Sequence, residues 1–363
     1  MALTFGIEEE FLLTDPRTGL PTQVPGLALA LASGAADNFT SSAELLDAQV
    51  ESSTRVCTDR HEAMEALLGF RTGLAAAAAA AGAAVAATGT APLMPSTAAV
   101  FNDSERYQSM GILAGAVANE QYVNGTHVHV GIDSRESGVR VLNGLRPWLA
   151  LLGALSANSP YWRGGDTSFA SWRMVHYRRW SVQGCPPLFK DAEDYARRLA
   201  GLLATDVVPD AGHVGWAARL SEHFPTVEVR IADAQLQARD SVLLAVLVRA
   251  LVATLASAGN EGDAAAVPDP ELLDVGLWQA ARFGLGGNLL AHHGGSIPAA
   301  DHLAALLDYV SPALDANGDR DFALAGIARL LAAGTGAERQ RAAVHSGGFT
   351  ALADLYAETL TAE

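Results

Sequence analysis

The sequence predicts an α+β fold in which an antiparallel sheet packs one face on helices and offers the other as the floor of a polar site. Three stretches carry that expectation: Gly6 to Leu13 (GIEEEFLL), Asn124 to Asp133 (NGTHVHVGID) and Thr226 to Asp233 (TVEVRIAD). In each, apolar residues alternate with polar ones at the period of a strand, whose successive side chains point to opposite faces. Glu8 and Glu10 share one face, with Ile7, Glu9 and Phe11 on the other. His127 and His129 share a face, and so do Glu228 and Arg230, while Val128, Val130, Val227, Val229 and Ile231 turn to the core. Strands with one apolar and one charged face belong to a sheet covered on one side only. No domain boundary is visible, so residues 1–363 are expected to form a single unit.

Between these strands the elements follow in order. Asp15 to Gly19 has turn chemistry, and a hairpin is plausible after the first strand. Phe39 to Thr54 reads as strand or mixed structure. Glu44 and Glu51 are an odd number of positions apart, so both reach one site only if a bend or bulge intervenes. A helix starts at the N-cap Asp59, with Glu62 three residues on as in a capping box, and ends near Gly82. A short buried strand Ala83 to Thr88 follows, then helices over Glu105 to Ala118 and Val139 to Ser156. From Ala234 onward the pattern is mostly helical, with breaks at Val267 to Pro270, Gly284 to Gly295 and Gly334 to Gly336.

With 50% hydrophobic and 18% charged residues over 363 positions, the composition is that of a globular protein with a sizeable core. The formal net charge of −16 argues against nucleic acid or an anionic membrane as partner, since both require a basic surface. It leaves room for a nucleotide held by local arginines and Mg²⁺. Two cysteines, Cys57 and Cys185, cannot build a disulfide framework for this length, and Glu8 arrives before any basic and apolar leader pattern. A cytoplasmic location is expected. The alanine tract Ala75 to Ala81 is too short to cross a membrane and the run Val242 to Ala258 is interrupted by Arg249, so both read as core helices.

Chemistry concentrates on the charged faces. Two carboxylates a few Å apart raise each other's pKa unless a cation sits between them, and Mg²⁺ is the usual answer. The competing reading of the first strand is a solvated edge that carries charge against aggregation. The His-x-His strand suits Zn²⁺ in a hydrolase, or one imidazole joining carboxylates around Mg²⁺ and phosphates, or two hydrogen-bonded structural residues. Ala157 to Arg173 reads as a long aromatic loop, and Arg173, Arg178 and Arg179 are residues that grip carboxylates and phosphates. Gly334 to Arg341 (GTGAERQR) either brings arginines to a phosphate or simply starts a helix. No Walker A, dinucleotide fingerprint or nucleophile elbow is present.

Taken in order, GIEEEF at Gly6, THVHV at Thr126, ANSPYW at Ala157 with Asp166-Thr167, VEVR at Val227 and the segment around Arg339 resemble the glutamate–cysteine ligase type 2 family of carboxylate–amine ligases. The resemblance implies one catalytic domain like that of glutamine synthetase, an antiparallel sheet forming an ATP/Mg-binding cup with helices packed behind it, and suggests a homodimer. It implies Glu8, Glu10, Glu44, Glu51, His127 and Glu228 as metal ligands, His127, His129 and Arg339 as ATP-facing groups, and Arg173 and Arg230 as catalytic arginines. The implied reaction uses ATP to join a carboxylate, expected to be the γ-carboxyl of glutamate, to an amine such as cysteine through an acyl phosphate. Cys57 is then a packed thiol. Asp166 to Phe169 and Trp180 to Cys185 depart from the usual pattern, which puts the acceptor in question. The alternatives are a zinc hydrolase using His127 and His129, and a nucleotide-binding relative without turnover.

Overall fold

The computed structural model describes residues 3–34, 38–257 and 268–363. The strands of its main sheet, in chain order, are β1 (Phe5–Thr14), β2 (Phe39–Ala43), β3 (Gln49–Thr54), β4 (Ala84–Ala86), β5 (Gly125–Gly131), β6 (Ala218–Leu220) and β7 (Thr226–Asp233). They form one sheet in the order β6-β7-β5-β1-β3-β2, with β4 pairing the end of β1. Every pairing is antiparallel, as the one-faced alternation requires. The alternation predicted for β1 holds along its first half: Phe5, Ile7 and Glu9 are buried, while Gly6, Glu8 and Glu10 are partly open.

The helices that position the site are α1 (Arg60–Ala80), α2 (Arg135–Leu145), α3 (Trp172–Tyr177), α4 (Ala238–Ser257), α5 (Pro270–Phe283), α6 (Ala299–Asn317) and α7 (Gly336–Leu360). Helix α4 lies against β1 and β5, and α1, α2 and α6 pack on it in turn. Ile7, Val128, Val130, Val227 and Val229 meet Leu244, Leu247 and Val248 in one apolar cluster. Among the described helices α4 alone is long and apolar enough to cross a membrane, and its burial inside the chain accounts for that composition. Arg249 is 1% exposed and pairs with Asp319, which makes it a core residue of α4. Ala258 and Val267 lie outside the described residues.

Local chemistry explains most boundaries. Asp59 caps α1 by accepting from the amides of His61 and Glu62, whereas the Glu62 carboxylate accepts from Thr58 and not from the cap residue. Glu105 to Ala118 divides at Gly115, whose φ of 53° no ordinary helix residue adopts. The helix expected from Val139 begins earlier, at the Ser134 cap, and passes through a 3₁₀ turn at Pro147 before Leu149–Leu155. The expected loop Ala157 to Arg173 contains a small hairpin, Tyr161–Trp162 with Gly165–Asp166, and its last two residues open α3.

Glu9 faces the helices and is 1% exposed. Arg71 of α1, itself 0% exposed, meets both carboxylate oxygens, with Nη2 at 2.6 Å from Oε1 and Nε at 2.9 Å from Oε2. The same guanidinium donates to the carbonyls of Gln235 and Leu236 beyond β7. A buried ion pair contributes little over an apolar pair of the same shape, but breaking one half is costly because a charge is left unpaired. Arg71→Met is therefore expected to destabilise the protein by about 3–5 kcal/mol in urea unfolding. Adding Glu9→Gln to it recovers part of the loss; a double variant no more stable than the single one contradicts this account.

Candidate active site

The open face of the sheet brings charged residues from five strands side by side. Antiparallel register sets Arg219 opposite Glu228, Glu228 opposite His129, His127 opposite Glu8 and Glu10 opposite Glu51. Together they line a cavity of about 270 Å³ that also receives Glu44, Arg173 and Arg230. The parity of Glu44 and Glu51 resolves without a bulge. Glu44 directly follows β2 and Glu51 lies in β3, the two strands forming a hairpin in which Ser42 pairs with Glu51. Reversal of the chain gives Ser42, Glu44, Gln49 and Glu51 a common face.

His127 Nδ1 lies 3.1 Å from Glu8 Oε2, and His127 Nε2 lies 3.7 Å from Glu10 Oε1. His129 Nε2 lies 3.3 Å from Glu8 Oε1 and 3.9 Å from Glu228 Oε1, while its Nδ1 meets Thr226 Oγ1 at 2.9 Å. Glu228 is gripped from two sides, by Arg219 Nε at 2.7 Å and by Arg230. Glu10 accepts from the Gly125 amide at 2.6 Å, and Glu51 from Ser42 Oγ at 3.0 Å. Arg173, 3% exposed, stacks on Tyr177 and directs its terminal nitrogens to the carbonyls of Arg230 and Ile231. A Cβ on Gly125 would stand 2.3 Å from Arg173 Nη2, so a side chain there would displace that guanidinium.

These contacts divide the carboxylates into two sets. Burial pushes Glu8 upward, but the hydrogen bonds and charges of His127 and His129 outweigh it and hold the carboxyl well below its ordinary range. Glu228 is likewise pushed up by burial and held low by Arg230 and Arg219. Glu10 and Glu44 are raised, chiefly by burial, and Glu51 is raised furthest, by burial and then by the charges of Glu44, Glu8 and Glu10. Burial and then the Arg230 charge keep His127 low. His129 is raised: burial opposes its charge, but Glu8 and Glu228 prevail.

Such crowding suits a hard cation. One donor atom each from Glu8, His129 and Glu228 lie within 4.8 Å of one another, and the same holds for Glu8, Glu51 and His127. Each set has two carboxylates and one imidazole, a donor choice suited to Mg²⁺ rather than to an imidazole-rich zinc centre. His127 Nε2 is buried without a hydrogen-bond partner, as are Arg173 Nε and Arg230 Nε, and the buried His129 Nε2 has only the Glu8 carboxylate at 3.3 Å. Buried polar atoms of this kind call for a ligand.

Other sequence-singled residues lie elsewhere. Arg339 Nη1 donates to Gln237 Oε1 at 2.9 Å and sits 4.0 Å from Asp240, and Arg339 is not among the residues lining the cavity. Its segment is a helix start, where Thr335 and Glu338 form the capping box of α7. Arg178 pairs with Asp274 and Arg179 with Glu120. Sequence reading missed Arg219, Tyr107 and Arg106, all of which line the cavity. Tyr107 donates to Glu44 Oε2 at 3.4 Å, and Arg106 pairs with Asp210. Arg219 was open to discovery, as the polar centre of Ala218-Arg219-Leu220; Tyr107 and Arg106 carry no comparable signal.

The description "Glutamate-cysteine ligase family 2 (GCS2)" matches residues 4–355 of the chain. "Putative glutamate--cysteine ligase 2-1" of Nocardia farcinica is 42% identical over 340 residues, covering 93% of this chain and 88% of that protein. The crystal structure of glutamate–cysteine ligase from Francisella tularensis in complex with AMP superposes with a TM-score of 0.74 at 13% identity, over 99% of this chain and 88% of that one. A bifunctional glutathione synthetase from Pasteurella multocida gives 0.69 at 13% identity, over 99% of this chain and 52% of that one. At such identity the last two establish a shared α+β fold.

Glu51 supplies a test. A carboxyl raised in the native state binds its proton more tightly folded than unfolded, so its contribution to stability is full at acid pH and is lost as pH rises from the ordinary carboxylate value of 4.5 toward the raised one. Without divalent cation, Glu51→Gln is expected to raise the melting temperature at pH 7 by about 2–4 °C, while stabilisation by added Mg²⁺ shrinks. Equal melting curves for both proteins contradict the electrostatic reading.

Proposed function

The chain belongs to glutamate–cysteine ligase family 2 and is an ATP-dependent carboxylate–amine ligase, and we propose that it joins the γ-carboxyl of glutamate to an amine through an acyl phosphate. The observation that supports this most directly is the single sheet face on which Glu8, Glu10, Glu51, His127, His129 and Glu228 converge beside Arg173 and Arg230. A carboxylate does not condense with an amine unaided because its oxygen is a poor leaving group. In the proposed sequence a carboxylate oxygen attacks the γ-phosphorus of ATP, the bond to ADP breaks, and an acyl phosphate forms. The neutral amine then attacks the acyl carbon, the C–O bond breaks, and phosphate leaves with the electron pair and takes up the amine proton.

In this reading Glu8, Glu10, Glu44, Glu51, His127 and Glu228 would hold Mg²⁺, which when bound would neutralise charge on the triphosphate. His127, with its unpartnered Nε2, and His129 would serve the metal or phosphate oxygens. Arg230 and Arg173 stabilise the charge that spreads over the transferred group, each with a buried Nε free for it. Glu228 orients Arg230, and Tyr177 lies beneath Arg173. The whole chain acts as one catalytic unit. A reducing cytoplasm, where ATP is at hand, agrees with Cys57 and Cys185 both being free thiols. The homodimer is carried over from the resemblance alone.

Release of ADP and phosphate by the purified protein with ATP, Mg²⁺ and glutamate, with and without amines including cysteine, tests the proposal when products are weighed by mass spectrometry. Amine-dependent ADP with a new amide is expected; AMP and pyrophosphate would rule out the acyl phosphate, and absence of any turnover would favour a binding protein. Arg230→Lys is expected to lower kcat about 10²-fold with a smaller effect on the KM for ATP.

A further inference from the structure

A second cavity, of about 480 Å³, adjoins the first and shares Arg173, Tyr177, Gln183 and Arg230 with it. Its size is in the range that encloses small organic ligands. Beyond the shared wall its character changes: Met174, Ala217, Ile231 and Leu277 provide buried apolar surface, and Val275 and Trp278 of α5 stand half-exposed at its rim. The Trp278 ring is braced edge-on by Phe169 at 5.6 Å, and the Arg178–Asp274 pair at 2.9 Å also lines the cavity. Phe169, Gln183 and Gly184 belong to the two stretches that depart from the family-like pattern.

Two neighbouring cavities of opposite character, separated by two guanidiniums, suit a reaction between a charged and an apolar partner. The first cavity is suited to Mg²⁺, phosphates and the acid. Arg173 and Arg230 line both cavities and have buried Nε atoms with no hydrogen-bond partner, so a molecule in the second cavity approaches the same arginines that the ligase reading sets on the acyl phosphate. We propose that the second cavity receives the amine substrate and encloses an alkyl or aryl group on it, so that amines with an apolar substituent are preferred over cysteine and other small amines. This rests on the ligase reading above. Apolar surface removed from water supplies the preference, and the arginine wall keeps the acceptor's apolar part away from the carboxylates.

The test uses benzylamine and methylamine as probes. Calorimetric titration of the full chain with Mg²⁺ and ADP is expected to show benzylamine binding at least tenfold tighter than methylamine. Val275→Asp, at a rim position 52% exposed, should abolish that preference, and Val275→Ala should weaken it without altering the melting temperature. In turnover with ATP and glutamate, Val275→Asp should raise the KM for benzylamine at least tenfold and leave the KM for ATP unchanged. Equal affinity for the two amines, or a preference that Val275→Asp does not move, overturns the apolar acceptor site. A preference in binding lost in Val275→Asp, but with no ADP formed from any acid and amine, supports the cavity assignment and overturns the ligase reading instead.

Discussion

Three consecutive carboxylates must pass through the middle of a folded protein, and the Glu9–Arg71 pair is what makes that tolerable. A strand cannot place neighbouring side chains on one face, so Glu8 and Glu10 can reach the polar cavity only if Glu9 goes into the core. There it needs a cation, and Arg71 supplies one with bidentate geometry. The same guanidinium holds the chain where it leaves β7. Strand β1, helix α1 and the start of α4 are thereby set by one group. The positions of Glu8 and Glu10 on one side of the sheet follow from a contact on the other.

On the polar side, order comes from unequal sharing of positive charge. Arg219 and Arg230 both attend Glu228, and two imidazoles attend Glu8. Glu44 and Glu51 have hydroxyl donors and each other. The β2–β3 end of the cavity thus carries an electrostatic deficit that the protein does not satisfy from its own side chains. Charge frustration of this kind is tolerated when a bound cation relieves it.

The period-2 stretches were legible because burial of one face imposes alternation on the residues themselves; β7 runs from Thr226 to Asp233 as read. What escaped was decided at a distance. Nothing near Glu9 names Arg71, 62 positions away. The parity of Glu44 and Glu51 called for a bend or bulge between them, and the turn that joins β2 to β3 is that bend, although the sequence did not say which of the two it would be. Arg339 lies in a glycine-led basic segment of the kind that binds phosphate, but its glycines serve the helix start and its guanidinium goes to Gln237 and Asp240. Arg173, by contrast, was recognisable in sequence, although what positions it was not: Asp233, 1% exposed, accepts from Ser159 and Ser171, and Ser159 Oγ in turn accepts the Arg173 amide.

The Arg71 guanidinium also reaches the Leu360 carbonyl, 289 positions away, at 3.4 Å. During synthesis β1 emerges well before β5 and β7, the carbonyls of Gln235 and Leu236, and the end of α7. Long-range pairing of this sort closes large loops before contacts can reward them, and it slows folding. The acidic strand therefore waits for most of the chain. Its surplus of like charge, a burden inside the finished protein, keeps it hydrated and unattractive to other strands in the interval.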